Sequence, residues 1–361
     1  MANILIIGNG FDIAHNLPTG YDKYLKQLKK DSNFYEYVKS GDTKYPISQL
    51  DELIDGNVCD FLYYKMNEND NKWVDFENVV REIIDVVANI DNFFTKKLNI
   101  HTKEYYYTVE KSNLENIPVF LVKFVFHSGK QKYEWTLGEI NKLSQDVLKH
   151  INYFIHFFEE YLIWIFYKEK DKIQPLDYFL KLDIDYLLSF NYTHTYETLY
   201  SQSYGLKKAF NFENSCYVHG EIENNNKIVM GIGSEFYDRD IHEDYVELFK
   251  FYQRYKYQTD FSYQNWIECL EKDKIYPFDE SNDLKNHFVS IYGHSLDPTD
   301  EDILFPFLSM KNAKIKIYYY GDDNKLKIEK NLLKILGRTR FEEYLIGNKK
   351  RIQLINCKDI K

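Results

Sequence analysis

Four aliphatic residues, Ile4-Leu5-Ile6-Ile7, run straight into Gly8-Asn9-Gly10 in the stretch ILIIGNGFDIAHNLPTGY, at the front of a chain that spends only 15 glycines on 361 residues. A continuous apolar run of this length suits a strand covered on both faces, and such strands belong to parallel sheets joined by crossover segments. The glycines end it. At a strand–glycine–helix junction the missing side chains let backbone N–H groups approach a phosphate closely, although the same pair also fits a plain flexible turn. Position 13 is Ile13, so the third glycine of a G-x-G-x-x-G fingerprint is absent and a standard dinucleotide motif is not written here.

Further short β-like runs fall at Tyr186–Phe190, Cys216–His219, Ile228–Ile232, Phe288–Tyr292, Ile315–Tyr320 and Ile352–Ile355. Most are continuously apolar, which predicts an α/β fold: a Rossmann-like, doubly wound parallel sheet. Between them lie helical patterns. Leu143, Val147, Ile151, Phe154, Ile155, Phe158, Leu162 and Ile165 repeat at three and four residues and predict a helix from about Leu143 to Tyr167. A second pattern runs through Val79, Ile83, Val86, Val87 and Ile90. Strand signals are sparse between Ile7 and Tyr186, so residues 1–22 and 184–361 are expected to build the core and 23–183 a large, mostly helical insertion or cap. Within it VFLVKFVFHSG reads equally as a strand pair or a buried segment.

Composition removes several function classes. With 44% hydrophobic residues the chain supplies an ample core. The 33 tyrosines and 26 phenylalanines are read as ordinary packing. A net charge of −10 without a long basic run disfavours nucleic acid as a partner. Cys59, Cys216, Cys269 and Cys357 form no C-x-x-C pair, which argues against a zinc knuckle or a redox motif. No signal-like start and no run of about 18 apolar residues is present, so no membrane association and a cytoplasmic location are expected.

In doubly wound sheets ligands bind beyond the carboxyl ends of the strands. Three later strand ends carry compact polar clusters: Asn191-Tyr192-Thr193 in YLLSFNYTHTYETLY, His219-Gly220 in CYVHGEI, and Gly293-His294-Ser295-Leu296-Asp297 in VSIYGHSLDPTDEDI. Each has a structural reading. Asn191 fits a helix cap, His219 a satisfied core histidine, and Asp297-Pro298-Thr299-Asp300 an acidic helix start facing the macrodipole. Two weaker clusters are Trp73, Asp75 and Glu77, which suit a helix N-terminus, and Lys250, Gln253 and Arg254, which share a helical face that meets either solvent or a phosphate.

Taken together, GNGFD, FNYT, HG and YGHSLDPTDED, with WVDFENVV and LFKFYQR, resemble the AbiH family of bacterial phage abortive-infection proteins. The same order is similar to that of sirtuin-type NAD-binding domains, whose G-A-G-x-S-x-x-x-G-I-P pattern lies over Gly8 to Pro18 without gaps. Asn9, Asp12 and Asn16 depart from that pattern, and the sirtuin zinc module has no counterpart. The resemblance implies a phage-defence role and a sirtuin-like NAD site. In it Gly8, Asn9, Gly10 and Gly293 approach the dinucleotide, Ser295 and Asp297 take the adenosine side, and no metal is required. NAD would be the substrate, cleaved to nicotinamide and ADP-ribose with water as acceptor. Asn191 would orient ribose or water, His219 act as general base, and Asp12 steady the developing charge.

Two other classes stand beside this. A metal-dependent nuclease or phosphodiesterase would gather His15, His194, His219 and His294 with nearby aspartates. A nucleotide-binding sensor would keep the ligand site without turnover. In either case a phage-derived trigger and a homo-oligomer are open as partners, and the helical region is the expected cover over the site.

Overall fold

The computed structural model describes residues 1–68, 76–88, 94–99, 102, 105–109, 126–127, 130–131, 134–200, 210–223, 228–233, 243–273 and 286–359. Trp73, Asp75 and most of VFLVKFVFHSG lie outside them. Counting only the strands of the main sheet, β1 is Asn3–Ile7, β2 Tyr186–Ser189, β3 Ser215–Tyr217, β4 His287–Tyr292, β5 Ala313–Tyr319 and β6 Ile352–Asn356. All neighbours pair in parallel, in the order β3-β2-β1-β4-β5-β6. That is the doubly wound Rossmann order, with its reversal point between β1 and β4.

The opening apolar run explains its own position. Ile4 and Ile6 face one buried cluster, with Val289, Ile291, Ile315 and the helices Glu301–Ser309 and Asp322–Leu345. Leu5 and Ile7 face the other, with Phe11, Phe179, Leu187 and Tyr292. Four consecutive aliphatic residues are what a central strand covered on both faces requires.

The predicted strand at Ile228–Ile232 does not form. The segment is buried but irregular, because its backbone finds partners elsewhere: the Gln253 amide accepts from Met230 N at 2.8 Å and donates to Met230 O at 3.1 Å. Val229 N donates to His219 O at 2.7 Å, and Ile232 exchanges hydrogen bonds with Leu248 and Lys250. One side chain takes the place of a neighbouring strand.

Between β1 and β2 the described chain is mostly helical. Helices span Asn9–Ala14, Tyr21–Gln27, Asn33–Lys39, Ile47–Ile54, Asn57–Glu68, Phe76–Ala88, Leu137–Glu169 and Asp177–Leu180. Two antiparallel ribbons accompany them, Thr95–Leu98 with Tyr105–Thr108 and Phe126–His127 with Lys130–Gln131. The longest helix starts six residues earlier than periodicity predicts, because Thr136 and Glu139 close a reciprocal capping box. Phe154 on this helix stacks on Phe76 at 4.6 Å and meets Tyr24 at 4.9 Å. This cluster also takes in Ile222, Ile228, Met230, Leu248 and Phe249, so the helical region shares its core with segments that follow β3. Among the described residues no helix is long and apolar enough to cross a membrane.

Candidate functional site

Because the strands are parallel, the loops that follow β1, β2, β3 and β4 leave from one edge, the carboxyl edge. Two of them are pressed together. A Cβ on Gly8 would lie 2.8 Å from His294 Cα, one on Gly10 would lie 2.7 Å from Gly293 Cα, and one on Gly293, at φ +71°, would lie 2.3 Å from Phe11 N. Gly10 N donates to Gly293 O at 2.8 Å and Gly8 N to Tyr292 O at 3.1 Å. Close backbone packing between the β1 and β4 loops is therefore reason enough for glycine at all three positions.

Asp12, on the short helix after the glycines, is buried and reaches the β2 loop. One carboxylate oxygen accepts from Asn191 Nδ2 at 3.1 Å and the other from Thr193 Oγ1 at 2.5 Å. Burial pushes its carboxyl up to about 6, against the hydrogen bonds from Thr193, Thr195, Thr19 and Asn191, which favour the anion. With its nitrogen turned to Asp12, Asn191 presents Oδ1, which is buried and has no hydrogen-bond partner among the described residues. A buried acceptor left unmatched costs about 1–3 kcal/mol. Asn191 is thus an amide held by Asp12 with its oxygen turned away from that contact.

The β3 loop brings His219 beside Phe190, with ring centroids 5.3 Å apart, and His294 also packs on Phe190 at 4.1 Å. Both histidines approach Asp300: His219 Nε2 lies 3.1 Å from Oδ1 and His294 Nε2 lies 3.6 Å from Oδ2. Lys250 Nζ reaches the same Oδ1 at 2.9 Å, accompanied by Thr299 Oγ1 at 3.1 Å and the Glu77 carboxylate. Arg254 pairs with Asp302. Lys250, Gln253 and Arg254 are buried, so the solvent-facing reading of that helical face is corrected: the aromatic residues around them in LFKFYQR pull the face inward.

Burial drives His219 down to about 4 despite the attraction of Asp300, with Lys250 and Arg254 pushing the same way. Burial thus favours the neutral imidazole and leaves it a weaker base than a histidine that titrates near neutrality. Burial raises Asp300, yet Lys250, His219 and His294 overcome it and hold the carboxyl well below its ordinary range. Burial likewise opposes the Lys250 charge, and Asp300 and Glu77 outweigh it, so the ammonium is held strongly. Burial lifts Glu77 to about 7, with Lys250 restraining the rise.

The other predicted residues take local roles as well. Asn9 Oδ1 accepts from Thr19 Oγ1 at 2.5 Å. Ser295 O accepts from Asn331 at 3.0 Å across an αL turn at Leu296, φ +55°. Asp297 caps the turn Pro298–Asp300 by accepting from Thr299 N at 3.2 Å, as its helix-start reading expects. Of the four histidines of the metal reading, His219 and His294 meet at Asp300, and His15 and His194 lie apart from them. His15 sits between Phe11 O at 2.7 Å and Tyr200 OH at 2.6 Å, and His194 lies by Glu221 at 3.6 Å. Among the described residues no group of three or more His, Cys, Asp or Glu is disposed to hold a metal ion. The sequence reading missed the joining role of Asp300 and His294. Their signal was the cluster of polar residues that follows β4, His294, Ser295, Asp297, Thr299 and Asp300.

The two shifted groups give a pH signature. A histidine whose folded value is below its unfolded value contributes stability that is complete above its ordinary 6.5 and is lost as the pH falls towards 4, because only the unfolded chain takes the proton there. The span is worth roughly 3 kcal/mol. Asp12 acts in the opposite sense: the cost of keeping its buried carboxylate ionised is complete above about 6 and disappears as the pH falls towards 3.8. His219→Phe is therefore expected to be more stable relative to wild type at pH 4.5 than at pH 7.5 in urea unfolding. An equal difference at both pH values would contradict the buried, neutral imidazole.

A comparison with curated proteins returns no match. The model of one family, bacteriophage abortive infection AbiH, matches residues 4–320. That span includes Gly8, Glu77, Asn191, His219, Lys250 and Asp300, together with β2 to β5 and all of β1 but Asn3. The chain belongs to the AbiH family of bacteriophage abortive-infection proteins.

Proposed function

We propose that this AbiH protein acts in phage defence by hydrolysing NAD to nicotinamide and ADP-ribose at the carboxyl edge of its sheet. The observation that carries the reading is Asn191: a buried amide, fixed by Asp12, whose oxygen has no partner among the described residues. A ribose hydroxyl or the attacking water supplies the missing donor. The doubly wound strand order adds support, since ligands of such sheets sit where the strand order reverses, here beside Gly8 and Gly293.

In NAD the nicotinamide leaves as a neutral molecule, so the demand is for stabilising an oxocarbenium-like ribose and delivering water. The water oxygen bonds to C1′, and the bond from C1′ to the nicotinamide nitrogen breaks with its electron pair on nicotinamide. The proton of the water passes to His219, neutral at pH 7, and then to solvent. Asp12, with its two oxygens engaged by Asn191 and Thr193, orients the amide and stands behind the reacting atoms. Gly8, Asn9, Gly10 and Gly293 form the floor under the dinucleotide, with Ser295 and Asp297 towards its adenosine end. The helical region is the cover, opened by a phage-derived trigger that binds the open state preferentially.

Purified protein incubated with NAD, with and without a chelator, tests the reading. Nicotinamide release that ignores the chelator is the expected result. Metal-dependent cutting of nucleic acid would put a nuclease in its place, and NAD binding without products would make the protein a sensor.

A further inference from the structure

Glu77, Lys250, Asp300 and His219 come from four separate stretches of chain and meet in the interior. Lys250 is 2% exposed, and its ammonium has three acceptors for its three protons: Glu77, Thr299 Oγ1 and Asp300 Oδ1. Asp300 Oδ1 is also the atom that His219 Nε2 approaches. Contacts of 2.9 and 3.1 Å that meet at one oxygen keep the ammonium and the imidazole at most 6.0 Å apart. Lys250 is hydrogen-bonded to that oxygen and the imidazole nitrogen lies against it, so both groups share one carboxylate oxygen as neighbour.

Stability alone gives little reason for such a chain, because apolar residues of similar volume commonly serve a core as well as a buried ion network does. Its two ends explain it better. Glu77 stands in the first turn of the helix Phe76–Ala88, which Phe76 anchors to the long helix through Phe154. His219 stands at the end of β3. Moving the Phe76–Ala88 helix moves Glu77, which changes how Lys250 divides itself between Glu77 and Asp300 and so what Asp300 offers to His219.

We propose that Lys250 is a positioning residue for His219, and that through its clamp on Glu77 and Asp300 it transmits the packing of the Phe76–Ala88 helix to the imidazole at the carboxyl edge. The proposal rests on the NAD reading only in calling His219 the base. The charged groups facing His219 are Asp300, Lys250 and, beyond them, Arg254 with its partner Asp302; His294 approaches Asp300 from the other side, and Phe190 and Tyr192 line the ring.

The test is a histidine NMR titration of the full chain, reading the His219 ring resonances in wild type, Glu77→Gln and Lys250→Met. In wild type the ring is expected to show its own midpoint near 4 and a second, smaller inflection near 7 that reports Glu77 ionising at the far end of the clamp. Glu77→Gln is expected to remove the inflection. Lys250→Met is expected to remove it too and to raise the His219 midpoint by about one unit or more, because an ammonium no longer opposes protonation beside Asp300. Absence of the inflection from wild type, or its persistence in a folded Lys250→Met protein, would overturn the link. Where Lys250→Met does not fold, Glu77→Gln decides: loss of the inflection supports the link and its persistence overturns it. These readouts need no NAD, so failure of the hydrolase reading and failure of the link are separate results.

Discussion

Gly293→Ala is expected to lower stability by roughly 2–5 kcal/mol. Two terms add. The left-handed backbone at φ +71° costs a residue with a Cβ about 1–2 kcal/mol, and driving that Cβ to 2.3 Å from Phe11 N forces a backbone shift worth about 1–3 kcal/mol more. Gly321 is the internal control. It has φ +78° but nothing within 4 Å of an added Cβ, so Gly321→Ala meets the conformational term alone. Urea unfolding of both variants checks the account, and equal losses would refute the packing of the β1 loop on the β4 loop.

This contact also shows where reading the sequence stops. Gly8-Asn9-Gly10 and Gly293 are each legible as strand ends, since a continuous apolar run precedes them. Their mutual contact joins residues some 285 positions apart and leaves no local mark on either motif. The sheet was legible for the same reason that its strands are buried on both faces. Ile228–Ile232 misled because burial without a strand gives the same apolar run, and its true partner is a glutamine side chain on a later helix. The start of the long helix was written in Thr136 and Glu139, a capping box that apolar periodicity overlooks. Lys250 was hardest, because charge predicts solvent, and only the acids at Glu77 and Asp300 make its burial tolerable.

Asn191→Ala is expected to reduce nicotinamide release by about 10²–10³-fold, mainly in kcat, with phage protection lost at matched soluble expression. Its structural effect is expected to be small. The amide gives the fold one hydrogen bond, to Asp12, worth about 1 kcal/mol, and Thr193 continues to serve the carboxylate. His219→Ala is expected to act on rate as well, by about 10²–10⁴-fold. Protection retained in both variants would move the chemistry away from this edge. The helix-cap reading of Asn191 does not hold, because its side-chain oxygen accepts from no helix N–H among the described residues; a folded, inactive Asn191→Ala protein would assign it a reacting role.

The identity of the products tests the proposed NAD hydrolysis most directly, because it reports which bond of NAD is broken. Purified protein is incubated with NAD in ¹⁸O-labelled water and the products are resolved by mass. The account predicts nicotinamide and ADP-ribose in equal amounts, with a single ¹⁸O in the ADP-ribose and none in nicotinamide. AMP with nicotinamide mononucleotide would instead place the cleavage at the pyrophosphate, and NAD left intact by protein that is active in phage-infected extract would contradict the NAD reading altogether.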